Sequence, residues 1–181
     1  MTFADQQEFY RVVAIEHPEQ QHFNTNAAIS AFEQIDEPSF TVVELGGWDG
    51  ALAYHLLDRF PILRWINYDI VSVEPQVCID RRYHPVELDD WFWNERRTAD
   101  VFVATHMIEH ITDRELGELF DCLDVDWIYL EAPLLIDGQK WYGYRGSHIL
   151  ELGWKDVVAM LYERGYEPAY SERDIGLWRL T

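Results

Sequence analysis

The stretch Phe40–Phe60, FTVVELGGWDGALAYHLLDRF, constrains the fold of this chain more than any other. FTVVEL reads as a buried strand and closes in an acid. Two glycines and an aspartate follow. Leu52, Ala53, Leu56, Leu57 and Phe60 then recur at helical spacing and stop before Pro61. This is a strand, a tight turn and a helix, with the turn at the carboxyl end of the strand. In open α/β sheets ligands sit at that end, near the point where strand order reverses.

The rest of the chain continues the alternation. Residues 3–16 and 26–35 read as two helices ahead of the first strand. The first carries Phe9, Val12 and Val13 on one face and stops before Pro18. The second is capped near Asn24–Asn26 and packs Ala28, Ile29, Phe32 and Ile35. LRWINYDI is a second strand, YHPVEL a short one, DDWFWNERR a helical turn and DVFVATHM a further strand. Thr112 followed by Glu115 forms a capping box that opens a helix with Leu116, Leu119, Phe120 and Leu123. VDWIYLEAP is another strand. Trp154, Val157, Val158, Leu161 and Tyr162 make a helical stripe that ends at Gly165. Residues 166–181 read as two strands around a turn. Alternating strands and helices predict an α/β fold with a mostly parallel sheet covered on both faces. Residues 1–38 form an N-terminal helical cover and residues 39–181 the core, as one folding unit.

Composition narrows the function. With 181 residues the chain is one domain with one sizeable core. No run approaches the ~18–20 apolar residues that span a bilayer, so no membrane partner is expected. The N-terminus has neither a basic nor an apolar leader segment, and Cys78 and Cys122 are isolated. A reducing, cytoplasmic setting is the expectation. The net charge of −19 repels phosphate backbones, so nucleic acid is not an expected partner. Lys140 and Lys155 are the two lysines against twelve arginines, a balance familiar from acid-rich, salt-tolerant surfaces, although lysine poverty alone also follows from a GC-rich genome. The pairs Arg81–Arg82 and Arg96–Arg97 are expected to partner the acids around them.

The turn discriminates between cofactors. A dinucleotide site needs G-x-G-x-x-G, so that a pyrophosphate can meet bare amides at a helix N-terminus. Two places after Gly46 stands Trp48, and two after Gly47 stands Asp49, so the pattern fails. A P-loop fails as well, because no Lys–Ser/Thr pair follows. Asp49 would also repel a phosphate. A cationic cofactor without phosphate meets no such objection, and S-adenosylmethionine is such a molecule.

Here the sequence resembles the class I S-adenosylmethionine-dependent methyltransferases of small-molecule type. ELGGWDG looks like their first motif, E-x-G-x-G-x-G, with Glu44, Gly46 and Gly50 in register, Gly47 between them and Trp48 in place of the middle glycine. Trp48 has two places to go, outward or against the substrate pocket. Asp69 matches the acid at the end of the second strand, which in that family accepts both ribose hydroxyls. DVFVATHMIEHI resembles the fourth-strand segment, with Thr105 at its polar position, and GSHILELGWKDVVAMLYERGYEP resembles the late histidine loop and helix. The resemblance spans residues 40 to 181. It implies a Rossmann-like, doubly wound sheet of seven strands and a cofactor site that includes Glu87 and Leu88 near the adenine. Asp89 is a rival for that role, while Trp91 and Trp93 read as packing aromatics.

His106, Glu109, His110 and His148 raise the question of a metal. H-x-x-E-H on a helix would suggest a zinc peptidase, but here it begins at a strand end and Thr112 caps the helix only afterwards. A related E-x-x-E-H segment holds metal in some methyltransferases; elsewhere in the family the acid and second histidine anchor the helix. The expectation is no metal. Histidine suits a general base near neutral pH, which makes His148 and His106 the catalytic candidates, His148 first. DGQKWYGYRGS, residues 137–147, reads as a substrate-facing lid with Tyr142, Tyr144 and Arg145 toward the acceptor. The resemblance therefore implies methyl transfer to an oxygen or nitrogen of a small molecule by a monomer or homodimer. The alternatives are a catalytically inactive cofactor-binding or interaction protein, and a methyltransferase acting on nucleic acid.

The charge generates a first prediction. If the acidic surface is an adaptation to salt, self-repulsion destabilises the fold in dilute buffer. Screening shortens from about 8 Å at 0.15 M to about 3 Å at 1 M salt. The melting temperature is expected to climb steadily to molar KCl; a flat or falling profile would reject that origin of the charge.

Overall fold

The computed structural model describes residues 24–70, 80–88, 96–132 and 150–181. The expected helix at 3–16, Cys78, Asp89, Trp91, Trp93 and the expected lid with Tyr142, Tyr144, Arg145 and His148 lie outside the described residues.

Helix α1 (Thr25–Phe32) precedes β1 (Phe40–Leu45), α2 (Ala51–Leu57), β2 (Ile62–Asp69) and β3 (Tyr83–Glu87). Then come β4 (Arg97–Thr98), β5 (Val101–Thr105), a 3-10 turn (Ile108–His110), α3 (Asp113–Cys122), β6 (Leu123–Asp124) and β7 (Trp127–Glu131). Helix α4 (Trp154–Glu163) leads into β8 (Tyr166–Glu172) and β9 (Ile175–Leu180). Seven of these strands form one sheet in the order β3–β2–β1–β5–β7–β9–β8, while β4 and β6 pair separately. Every pairing from β3 through β7 is parallel, and β9 runs antiparallel to both β7 and β8. The expected mostly parallel, Rossmann-like sheet is therefore present.

Burial explains the parallel centre. Every residue of β5, VFVAT, and of β7, WIYLE, is buried, as strands covered on both faces must be. On one face Ala28 and Phe32 of α1 and Leu52 and Leu56 of α2 pack against Trp65 and Tyr129. On the other, Leu116 and Leu119 of α3 and Val157 and Leu161 of α4 meet Phe102, Ile128 and Trp178. At the entry to the sheet the Asp100 carboxylate accepts from Thr41 N–H at 2.6 Å and from the Thr41 hydroxyl at 2.7 Å, which ties β1 to β5.

The expected helix boundaries hold at the starts and shift at three ends. α2 stops at Leu57, so Phe60 of the expected stripe lies outside the helix. The Asn24 side chain caps α1 by accepting from Ala27 N–H at 3.1 Å. Thr112 and Glu115 form the complete capping box of α3. Gly165, just past α4, takes φ +86°. α1, however, stops at Phe32 rather than at residue 35, although Ile35 stays buried. Leu123 is not helical either: it caps α3 in extended conformation and pairs with Arg97 across the small β4–β6 sheet. Arg97 correspondingly sits in a strand, not in the helical turn expected through residue 97. Pairing available only in three dimensions overrode local periodicity at both places. No helix among the described residues is long and apolar enough to cross a membrane.

Register brings the carboxyl ends of the strands level. Leu45 pairs with Tyr68 on one side and Ala104 on the other, Asp69 pairs with Glu87, and Thr105 pairs with Glu131. Strand order reverses between β1 and β5, so the turn after β1 stands at the switch point.

Candidate functional site

The β1–α2 turn is assembled from below and from the side. Gly46 adopts φ +77°, and a Cβ there would also run into the Met107 side chain. At Gly47 a Cβ would overlap the Glu44 carboxylate outright. Gly50, at φ +79°, is the N-cap of α2. Trp48, between them, takes φ +51°. For a bulky L-residue this left-handed conformation costs ~1–2 kcal/mol, so something must hold it.

The neighbouring strand supplies that hold. Strand alternation sets Trp65, Asn67 and Asp69 on one face of β2, and each is buried. Trp65 Nε1–H donates to Glu44 Oε2 at 2.8 Å. Gly47 N–H donates to Asn67 Oδ1 at 2.9 Å, and Trp48 N–H donates to Asp69 Oδ2 at 2.8 Å. Gly46 N–H also donates to the Tyr68 carbonyl at 2.8 Å. β2 thus reads the turn residue by residue. Sequence reasoning singled out Asp69 from this set and missed Trp65 and Asn67. The signal was there, as three hydrogen-bonding side chains at i, i+2 and i+4 in a strand that faces the turn.

The other expected cofactor contacts lie along the same rim. Glu44 is fully buried beneath the turn, so it supports the loop from below. Glu87 ends β3 with its side chain exposed; Leu88 follows, buried, with its N–H bonded to the Asp69 carbonyl at 2.6 Å. Thr105 ends β5 and is buried. The group has acids at its strand ends and no lysine or arginine among Glu44, Gly46, Gly47, Trp48, Gly50, Asp69, Glu87, Leu88 and Thr105, which suits a cationic ligand without phosphate.

Beyond β5 a second polar group is built around His106. Its backbone is also left-handed, at φ +51°, and its N–H donates to the Glu131 carbonyl at 2.7 Å. The imidazole stands between two carboxylates: Nδ1 is 3.7 Å from Glu109 Oε1, and Nε2 is 3.7 Å from Glu131 Oε1. His110 Nε2 lies 3.9 Å from Glu109 Oε1. Glu131, which sequence reasoning missed, also accepts from Asn24 N–H at 2.7 Å and from the Tyr129 hydroxyl at 3.0 Å. It thereby locks the start of α1 to the rim. No cluster of three or more His, Cys, Asp or Glu among the described residues has the arrangement of a metal site.

Two buried acids are neutral-leaning. Burial pushes the Glu44 carboxyl up to about 8; the Trp65 hydrogen bond opposes this, and the charges of Asp69 and Asp49 add to it. Burial likewise raises Glu109 to about 7, against its backbone hydrogen bond and His106. Glu44 Oε1 and Glu109 Oε2 have no hydrogen-bond partner among the described residues, which agrees with burial as the cause. Between the ordinary carboxyl value of 4.5 and about 8, the unfolded chain has released the Glu44 proton while the folded chain keeps it. Stability therefore falls as pH rises through that window, by up to about 1.4 kcal/mol per pH unit for one such proton. Glu44→Gln keeps an acceptor for Trp65 and removes the titration. Denaturant unfolding between pH 5 and 8 is expected to show a flatter decline for Glu44→Gln than for the wild type; identical slopes would refute the assignment.

No protein-family model matches this chain, and no curated protein matches it. Solved structures do match. One is the Burkholderia thailandensis 1,6-didemethyltoxoflavin-N1-methyltransferase with its substrate and S-adenosylhomocysteine bound, at TM-score 0.71 and 14% identity over 98% of this chain and 88% of that one. The methyltransferase domain of bacterial CtHen1-C matches at TM-score 0.59 and 14% identity, over 87% of this chain and 99% of that one. CalO1, a methyltransferase of calicheamicin biosynthesis in its SAH-bound form, matches at TM-score 0.61 and 14% identity over 99% of this chain; the match spans only 60% of CalO1. The strand order, the glycine turn at the switch point and these matches agree: the chain has the fold of the class I S-adenosylmethionine-dependent methyltransferases.

Proposed function

We propose that this chain is an S-adenosylmethionine-dependent methyltransferase that moves a methyl group to an oxygen or nitrogen of a small molecule. The observation that carries the reading is the β1–α2 turn closed by Asp69 at the switch point. Support for a small acceptor comes from the toxoflavin and calicheamicin enzymes, whose folds this one matches. The chain's charge of −19 argues against a nucleic-acid acceptor.

When bound, the cofactor supplies a methyl carbon already activated by a sulfonium. The protein's task is then alignment, exclusion of water and removal of a proton from the acceptor. Gly46, Gly47, Trp48 and Gly50 form the loop against the cofactor, with Asp69 toward the ribose and Glu87, Leu88 and Thr105 along the rim. Glu44 supports the loop from beneath. His106 stands at the acceptor end, its ring flanked by Glu109 and Glu131. His148 is the other candidate base, and Tyr142, Tyr144 and Arg145 are the candidate acceptor contacts. Trp48, at the place of a glycine, favours one second reading, a binding protein of this fold without turnover. Labelled methyl transfer to a panel of acceptors separates the two.

Calorimetry tests the cofactor. S-adenosylmethionine and S-adenosylhomocysteine are expected to bind and NAD not to bind. Asp69→Ala removes two carboxylate hydrogen bonds to the ribose, each worth ~1.5–3 kcal/mol, so both affinities should drop by at least a hundredfold. Binding of NAD without S-adenosylmethionine would reverse the assignment.

Turnover tests the base. With a working acceptor, His148→Ala is expected to lower the rate roughly 10²–10⁴-fold with cofactor affinity nearly unchanged. Glu109→Ala should mainly reduce stability. One transition metal per chain by elemental analysis, lost together with activity on chelation, would overturn a metal-free mechanism.

A further inference from the structure

We propose that Asn67 is the positioning residue of the β1–α2 loop, holding Trp48 in the left-handed conformation that a glycine would reach unaided. The proposal rests on the cofactor reading above. Trp48 at φ +51° is an outlier for a bulky side chain, and such conformations persist only where their surroundings over-determine them.

Asn67 is placed to do this. Its Oδ1 accepts from Gly47 N–H at 2.9 Å, and its Nδ2 donates to the Trp48 carbonyl at 3.4 Å. One side chain thus grips the amide that enters the turn and the carbonyl that leaves it. A second Nδ2–H donates to the Tyr83 hydroxyl on β3 at 2.9 Å, which fixes the plane of the amide. A carboxylate offers no donor and an alanine neither group, so the task selects an amide. Asn67 is 1% exposed, and bulk water cannot take its place. Asp69 completes the grip from the next inward position, through Trp48 N–H at 2.8 Å.

The functional consequence concerns how often the loop is ready. A loop that leaves its binding conformation lowers apparent affinity by the fraction of time spent elsewhere. Asn67 keeps the Trp48 turn in place before any ligand arrives. The same residue keeps the Trp48 amide against Asp69, so the loop and the acid meet a ligand as one surface.

A double-mutant cycle tests this with S-adenosylhomocysteine as the probe, measured by calorimetry alongside melting temperature. The four proteins are the wild type, Asn67→Ala, Trp48→Gly and the double variant. Asn67→Ala is expected to weaken binding at least tenfold in the wild-type background and less than threefold in the Trp48→Gly background. A purely structural Asn67 would instead cost the same factor in both, and that result overturns the proposal. Complete loss of binding in Trp48→Gly alone would assign the indole itself to the ligand and overturn it too. Asn67→Ser, which leaves a hydroxyl too short to span both groups, serves where Asn67→Ala does not fold. If the wild type fails to bind the probe, the cofactor reading itself falls; if it binds and the two factors are equal, only the role of Asn67 does.

Discussion

Three side chains on one face of β2 govern the rest of the site. Trp65, Asn67 and Asp69 point the same way because a strand repeats every two residues, and the parallel register with β1 sets them against Glu44, Gly47 and Trp48 in turn. A slip of one residue between β1 and β2 would turn all three away together. The glycine turn, the start of α2 and the rim are therefore only as well defined as one strand pairing. On its other side β1 is tied to β5 by Asp100, which holds Thr41.

The fold was largely legible in the sequence, and the particular residues show why. Val42–Leu45, Val101–Thr105 and Trp127–Glu131, the centres of FTVVEL, DVFVATHM and VDWIYLEAP, are buried on both faces, so their apolar runs survive any choice of neighbours. The Thr112–Glu115 capping box is a local interaction that needs no tertiary partner, and it appears as read. Leu123 and Arg97 were misplaced because their pairing joins segments more than twenty residues apart. In the site, the glycines and Asp69 stood out by type and spacing. Asn67 and Glu131 did not, since an asparagine and a glutamate within strands carry no meaning until a register places a loop or a helix start against them.

Charge is distributed with the same economy. Beyond β5, Glu109 and Glu131 stand around His106, while Glu44 lies under the turn in a form that burial keeps protonated toward neutral pH. Keeping Glu44 neutral avoids a third negative charge that Asp69 and Asp49 would repel in a poorly solvated region. Three arginines form ion pairs elsewhere: Arg82 with Asp80, Arg164 with Asp121 and Arg96 with Asp124.

The contact between Gly47 and Glu44 has an evolutionary consequence. A side chain at position 47 requires the Glu44 carboxylate to move, because the first added carbon would fall inside it. A lineage that substitutes residue 47 must already have shortened or moved residue 44, and Trp65 would then lose its acceptor. Positions 44, 47 and 65 are thus coupled by packing and one hydrogen bond. A chain that keeps the glutamate and the tryptophan in this packing is expected to keep the glycine whatever it binds, so that glycine records the packing of the loop and not the identity of a ligand.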